Sequence, residues 1–326
     1  MGWLGYEAGA WFEQMPSPVS APSLPQAWWG TISCWARFDR LGRRVAGNAP
    51  VASSPSNGPR APGGRLVERP SPRTFTGGVR AVLDHLRRGD AYQVNLSRRL
   101  VVATPGDPLD AWLRLRALNP ARRAILVETP VGAVVSNSPE LLLRQRGRKL
   151  LSVPIKGTAP AGAARAALLE SPKERAELTM IVDLVRADLG RVAAPGTVRA
   201  GPRRVGRVGH LWHAMQRVHA ELDEGRDTID AISALFPPGS VTGAPKVRAM
   251  EIIRALEPVP RGVYSGGVGW IGPGGCELNV AIRTIQFAGG EAHVHVGAGI
   301  VLGSEPEREL LETDLKAERL LQALLA

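Results

Sequence analysis

The chain has 326 residues, enough for one large domain or two medium ones, and its 44% hydrophobic and 22% charged content is that of an ordinary globular protein. No run approaches the roughly eighteen uninterrupted apolar residues of a membrane span. The start, MGWLGYEAGAWFEQMP, lacks the pattern of a secretory signal, and two cysteines, Cys34 and Cys276, are too few for a disulfide framework, so a cytoplasmic protein is expected. The net charge of +11 is carried by arginines spread along the chain rather than gathered in a tract, which argues against a nucleic-acid surface.

Residues 1–45 hold five of the eight tryptophans in short apolar runs and read as strands with turns. Residues 46–73, rich in Pro, Gly, Ser and Ala, cannot bury enough surface to order themselves and read as a loop. The expected organisation is therefore a short N-terminal segment, 1–73, whose strands join the main sheets, followed by a catalytic domain over 74–326. A helix is expected over about 76–88, then a strand in AYQVNLSRRLVV, with further strands near 124–136, 140–155, 263–271, 278–287 and 292–301. Two helices open on capping-box patterns with proline inside the first turn: Ser171-Pro172-Lys173-Glu174, running to about Gly190, and Ser304-Glu305-Pro306-Glu307, running to the C-terminus. Strands and helices do not alternate strictly, so the expected class is α+β, with large mixed sheets and helices outside.

Each of those two helices carries a carboxylate pair at i and i+3: Glu174 with Glu177, and Glu309 with Glu312. Like charges on one helix face repel, and a shared hard cation such as magnesium would remove the penalty. A cap at Glu174 and an i,i+4 pair of Glu312 with Lys316 are the structural alternatives. Five lysines stand against 36 arginines, and Lys156, Lys246 and Lys316 fall in the motifs below. Only lysine can serve as an amine nucleophile, because a guanidinium stays protonated. PPGSVTGAPK lacks the spacing of a P-loop, and GAGIVLG is one residue too long for a dinucleotide fingerprint and opens no helix.

The segments YQVNLS (92–97), SPELLL (138–143), PIKGT (154–158), ERAELTMIVDLVRADLGR (174–191), TGAPKVRAMEII (242–253), RGVYSGGVGW (261–270), NVAIRT (279–284) and GAGIVLGSEPERELLETDLKA (297–317) occur in one order. Together, from about Thr74 to the C-terminus, they resemble the chorismate-binding enzymes: the first components of anthranilate and aminodeoxychorismate synthases, and the isochorismate and salicylate synthases. That resemblance implies two large, mostly antiparallel sheets packed face to face with helices outside and the site in a cleft between the halves. It also implies a separate glutamine amidotransferase subunit as ammonia source.

Residue by residue, the resemblance implies that Glu174, Glu177, Glu309 and Glu312 hold Mg2+ against the ring carboxylate of chorismate, with Lys316 nearby. It assigns Arg283 and Tyr264, with the backbone of Gly297, Ala298 and Gly299, to the enolpyruvyl carboxylate. Gly157 and Thr158 of PIKGT fall at the pocket floor. Thr242 and His213 line the ring near the departing C4 oxygen, with His210 offering a second register. Glu140 is the general acid for that oxygen, which requires a protonated and therefore partly buried carboxyl. Two positions separate the family's members. Where water-adding members carry a lysine, this chain has Gln93. Where anthranilate synthase has alanine, it has Lys156, as in aminodeoxychorismate synthase. The expectation is amination of chorismate by ammonia to 4-amino-4-deoxychorismate, toward p-aminobenzoate and folate or a related product, through a covalent Lys156 intermediate. Ala187, Leu302 and Gly303 depart from the family's usual residues.

Overall fold

The computed structural model describes residues 1–15, 20–38, 43–49, 59–160, 168, 170–208 and 211–325. Among the described residues the α-helices are α1 (Pro72–Arg87), α2 (Pro108–Leu118), α3 (Pro172–Gly190), α4 (Thr228–Leu235), α5 (Lys246–Leu256) and α6 (Pro306–Gln322). An eight-stranded sheet runs in the order Arg199–Ala200, Val218–Glu221, Lys149–Val153, Leu141–Arg146, Gly275–Val280, Gly267–Gly272, Gly2–Leu4, Ala27–Trp29. A second large sheet runs Gly243–Ala244, Gln93–Ala103, Glu291–Ile300, Thr284–Ala288, Gly132–Ser136, Ile125–Thr129, with Arg65–Glu68 also paired to Gln93–Ala103. Ile155–Pro160, Leu211–Met215 and Arg204–Val208 form a separate three-stranded sheet, its strands falling in sequence among those of the eight-stranded sheet. The ladders joining these strands are antiparallel.

The core follows from the period-2 alternation of the strands. Trp3 and Val268 of the first sheet meet Val127 and Val134 of the second, so the two sheets face each other across a shared apolar layer. The other face of the first sheet, with Leu142, Leu150 and Leu278, is covered by Leu178, Val182, Val185 and Leu189 of α3. The second sheet buries Val94, Leu96 and Ile300 against α1 and α5, and Leu100, Val102, Val135 and Val294 against α2 and α6. This is the expected α+β architecture with helices outside.

Several boundaries differ from the sequence expectation. The stretch read as loop over 46–73 contributes an edge strand, Arg65–Glu68, and the start of α1, because Ser71 caps that helix by accepting from the Thr74 N–H at 3.2 Å. The expected strand over 140–155 is two strands joined at Gly147, whose φ of +55° suits the turn. The segment 278–287 also divides, and its halves lie in different sheets. Ser171 caps α3, accepting from the Glu174 N–H at 3.3 Å. At α6, however, the cap position is Glu305 without a side-chain bond, because the Ser304 hydroxyl accepts from the Val301 N–H at 3.1 Å instead.

Candidate functional site

The strand Gln93–Ala103 places the site. Val94 and Leu96 point into the core beneath α1 and α5, which turns Gln93, Asn95 and Ser97 to the opposite face. The partner strand sets Gly297 opposite Ser97, Ala298 opposite Leu96 and Gly299 opposite Asn95. Gly297 and Gly299 therefore lie on the Gln93 face, whereas the Ala298 methyl is buried with Leu96, so any ligand contact of Ala298 is through its backbone. The strand Glu291–Ile300 pairs with Thr284–Ala288 only as far as Val294, so its outer edge is open at the two glycines. A side-chain carbon on Gly299 would stand 3.1 Å from Lys156 Nζ and 3.2 Å from Gln93 Nε2. One on Gly297 would stand 2.9 Å from the Tyr264 hydroxyl oxygen. The missing carbons are what let these groups approach the strand. Both polar atoms of the fully buried Gln93 amide lack a partner among the described residues, an expensive arrangement suited to a ligand-facing group.

Lys156 and Glu140 converge from adjoining segments. Glu140 precedes the strand Leu141–Arg146, is 4% exposed, and burial pushes its carboxyl up to about 7 against the opposing pull of Ser240, Lys156 and the Ile155 N–H. Lys156, in the strand Ile155–Pro160, has its pKa lowered by desolvation, opposed first by Glu177; Lys316 adds to the lowering, and Glu140 and Glu312 also oppose it. The same charges thus surround one amine. Glu174 Oε2 approaches Gly157, which has a φ of +73° and whose missing side chain leaves the room.

Arg283 sits in the left-handed region at φ +50°, a strained setting for a non-glycine residue that concentrates at functional sites. Burial lowers its pKa to about 10, and its Nη1 has no partner among the described residues. Its Nη2 donates to His213 Nε2 at 3.1 Å, while the other ring nitrogen lies 3.4 Å from the Gly157 carbonyl. An arginine only donates and a carbonyl only accepts, so this pairing calls for a neutral imidazole protonated on Nδ1. His210 lies outside the described residues. Tyr264 stacks on His295 at 5.5 Å, and Lys316 Nζ donates to the Gly297 carbonyl at 2.8 Å while pairing with Glu312 at 2.6 Å.

Two further expected residues, Thr242 and Thr158, have no side-chain contact with this group among the described residues. The Thr242 hydroxyl donates to the Pro238 carbonyl at 3.0 Å, within its own loop. The side chain of Thr158 lies outside the described residues, although its strand is described. The four glutamates offer only hard oxygen donors, and Glu177 of α3 and Glu312 of α6 both act on Lys156, so the donor set fits magnesium in kind and in direction. Among the described residues no three acidic, imidazole or thiol groups stand close enough to enclose an ion by themselves. An open hollow of about 590 Å3 lies elsewhere, along Pro172, Arg175, Ala176, Thr179, Met180 and Asp183. Asn95, Ser240 and Arg261 escape the sequence reading. Asn95 is detectable from alternation with Gln93, whereas Ser240 and Arg261 reach the site only by tertiary packing.

A family model described as chorismate binding enzyme matches residues 1–322, the N-terminal segment included. The chain is 37% identical to anthranilate synthase component 1 of Streptomyces coelicolor over 99% of its own length and 72% of that protein's. It is 40% identical to aminodeoxychorismate synthase component 1 of Bacillus subtilis over 77% of its own length and 55% of that protein's. The crystal structure of anthranilate synthase component I from Streptococcus pneumoniae superposes with a TM-score of 0.87 at 27% identity, covering 98% of this chain and 79% of that one.

Proposed function

The chain belongs to the chorismate-binding enzyme family, and from that premise we propose that it aminates chorismate with ammonia to 4-amino-4-deoxychorismate. The observation that carries this reading is Lys156: an amine held toward its neutral form by burial, within electrostatic reach of a buried carboxyl with a pKa of about 7.

The chemistry divides one difficult displacement into two easier ones. The Lys156 lone pair forms a bond to ring C2, the two conjugated ring double bonds each shift one position (C1=C2 to C1=C6 and C5=C6 to C4=C5), and the C4–O bond breaks. Glu140 gives its proton to the departing oxygen, which leaves as water. Ammonia then adds at C4, both double bonds return to C5=C6 and C1=C2, and the C2–N bond breaks to release Lys156 as a neutral amine. One proton of the new ammonium restores Glu140, and the enolpyruvyl ether stays intact. Arg283 and Tyr264 orient the enolpyruvyl carboxylate, and Gln93, an amide that cannot take a proton, disfavours activation of water. Glu174, Glu177, Glu309 and Glu312 would hold magnesium, which supplies charge neutralisation at the ring carboxylate when bound.

Anthranilate synthesis is the second reading, favoured by the 37% identity with an anthranilate synthase component 1 across nearly the whole chain. Incubation of the purified chain with chorismate, ammonium and magnesium, followed by mass spectrometry, separates the two. Aminodeoxychorismate keeps the enolpyruvyl group, whereas anthranilate has lost pyruvate. A product of the latter mass would replace the proposal with the second reading.

A further inference from the structure

The loop that carries Tyr264 belongs to no strand or helix, and side chains hold its backbone. Glu7 Oε1 accepts from the Arg261 N–H at 2.7 Å, and Glu7 Oε2 accepts from the Gly262 N–H at 3.0 Å. On the other side, Gln286 Oε1 accepts from the Val263 N–H at 2.8 Å and its Nε2 donates to the Arg261 carbonyl at 2.9 Å. The Tyr6 N–H adds a bond to the Gly262 carbonyl at 2.7 Å. The clamp is needed, because Gly262 and Ser265 have φ values of +62° and +65°, and a non-glycine residue keeps such a conformation only where its surroundings enforce it.

The Arg261 side chain extends the same clamp. It is 1% exposed and lies 4.7 Å from the centroid of the Tyr6 ring and 5.8 Å from that of Tyr264. It donates to both oxygens of Glu257, to the Asn95 carbonyl at 2.6 Å, to the Val241 carbonyl at 2.8 Å and to the Ser265 hydroxyl at 3.1 Å. Those partners belong to the strand of Gln93, the loop of Thr242 and the residue after Tyr264. A buried carboxylate accepting two backbone N–H groups is a strong, directional way to fix such a loop. Glu7 is 7% exposed and comes from the N-terminal segment, more than 250 residues away in sequence.

We propose that Glu7 is a positioning residue for the substrate site, acting through the backbone of Arg261 and Gly262 to hold Tyr264 against Gly297. The proposal rests on Tyr264 contacting chorismate, and it makes the N-terminal segment a working part of the site. Glu7→Gln keeps the shape of the side chain but turns one acceptor into a donor facing an N–H. Glu13→Gln is the control, since Glu13 lies in the same segment but pairs with Arg191 at 2.7 Å. In Glu7→Gln, amide exchange over 261–265 is expected to quicken about tenfold and the KM for chorismate to rise about tenfold at nearly constant kcat, the scale of one charge-assisted hydrogen bond. The control moves neither quantity. Gln286→Met, which frees the opposite side of the loop, is expected to act like Glu7→Gln. Unchanged exchange in folded Glu7→Gln overturns the clamp, and quickened exchange with an unchanged KM overturns its role in substrate positioning. Absence of chorismate turnover in the wild-type chain would instead sink the functional reading, while the exchange measurement still decides whether Glu7 holds the loop.

Discussion

At the scale of single residues, the proposed reaction uses Lys156 as nucleophile and Glu140 as acid, each in its uncharged state. A lysine that only bound a carboxylate would tolerate arginine; a lysine that forms a bond to C2 would not, since arginine has no free lone pair at neutral pH. Lys156→Arg and Lys156→Ala are both expected to lower kcat by about a hundredfold or more, the scale of losing a catalytic group. A fully active Lys156→Arg enzyme would return the choice to anthranilate synthesis. In the proposed reaction Glu140 donates a proton, so with its pKa at about 7 the rate should fall as pH rises beyond that point. Stability follows the same sign. A carboxyl whose folded pKa is raised contributes most below its unfolded value of about 4.5 and loses that contribution as pH rises through 7. Glu140→Gln should therefore abolish most activity yet resist denaturant better than wild type at pH 8, by up to about 3 kcal/mol, with no such gain at pH 4. Equal stabilities at pH 8 would contradict the burial argument.

At the scale of elements, the lysine of TGAPK does something other than chemistry. Lys246 opens α5 and donates to Asp188 near the C-terminal end of α3 at 2.7 Å, with a longer contact of 3.5 Å to the Leu235 carbonyl at the end of α4. Both side chains are under a tenth exposed, so three helix ends meet on one buried pair. Removing one partner leaves a buried charge alone, and Lys246→Met is expected to cost about 3–5 kcal/mol in denaturant unfolding. Adding Asp188→Leu should restore most of that loss; a double variant as unstable as the single one would show that the pair's charges are not the cause. Neighbouring Ala187, where the family usually has asparagine, is exposed and takes no part in the pair. The caps of α2 and α4, Asp107 and Asp227, are ordinary local signals that lie outside the sequence expectation for helices.

At the scale of the whole molecule, the metal and nitrogen requirements test how α3 and α6 work together. If the proposed magnesium is held jointly by their glutamates and a substrate carboxylate, calorimetry should find magnesium binding much tightened by chorismate, and EDTA should abolish turnover until magnesium is restored. Full activity in chelator would remove the metal from the proposal. The proposed reaction takes its nitrogen as ammonia, in keeping with Cys276, which is buried with its thiol pushed up to about 11 by desolvation, a state that suits packing rather than glutaminase chemistry; Cys34 lies in an exposed stretch. The isolated chain should therefore use ammonium and ignore glutamine until an amidotransferase subunit is supplied. Among the described residues no helix is long and apolar enough to cross a membrane.

What the sequence determined by itself was local. Period-2 alternation in QVNLS already separates Gln93 from the apolar Val94 and Leu96, and the Ser-Pro signature at Ser171 marks the start of α3. The order of the motifs, a property of the chain, pointed to the family without any coordinates. Tertiary structure alone decided what cannot be encoded within a few residues. The division of 278–287 between two sheets depends on a left-handed Arg283, and the use of Ser304 in the turn before α6 depends on Val301 reaching it first. Burial by several elements at once moves the carboxyl of Glu140 to about 7, and Glu7 reaches the Tyr264 loop across most of the chain. Desolvation and long-range hydrogen bonds are sums over neighbours that only the folded chain assembles, which is why the motifs were legible in the sequence and the environments of their side chains were not.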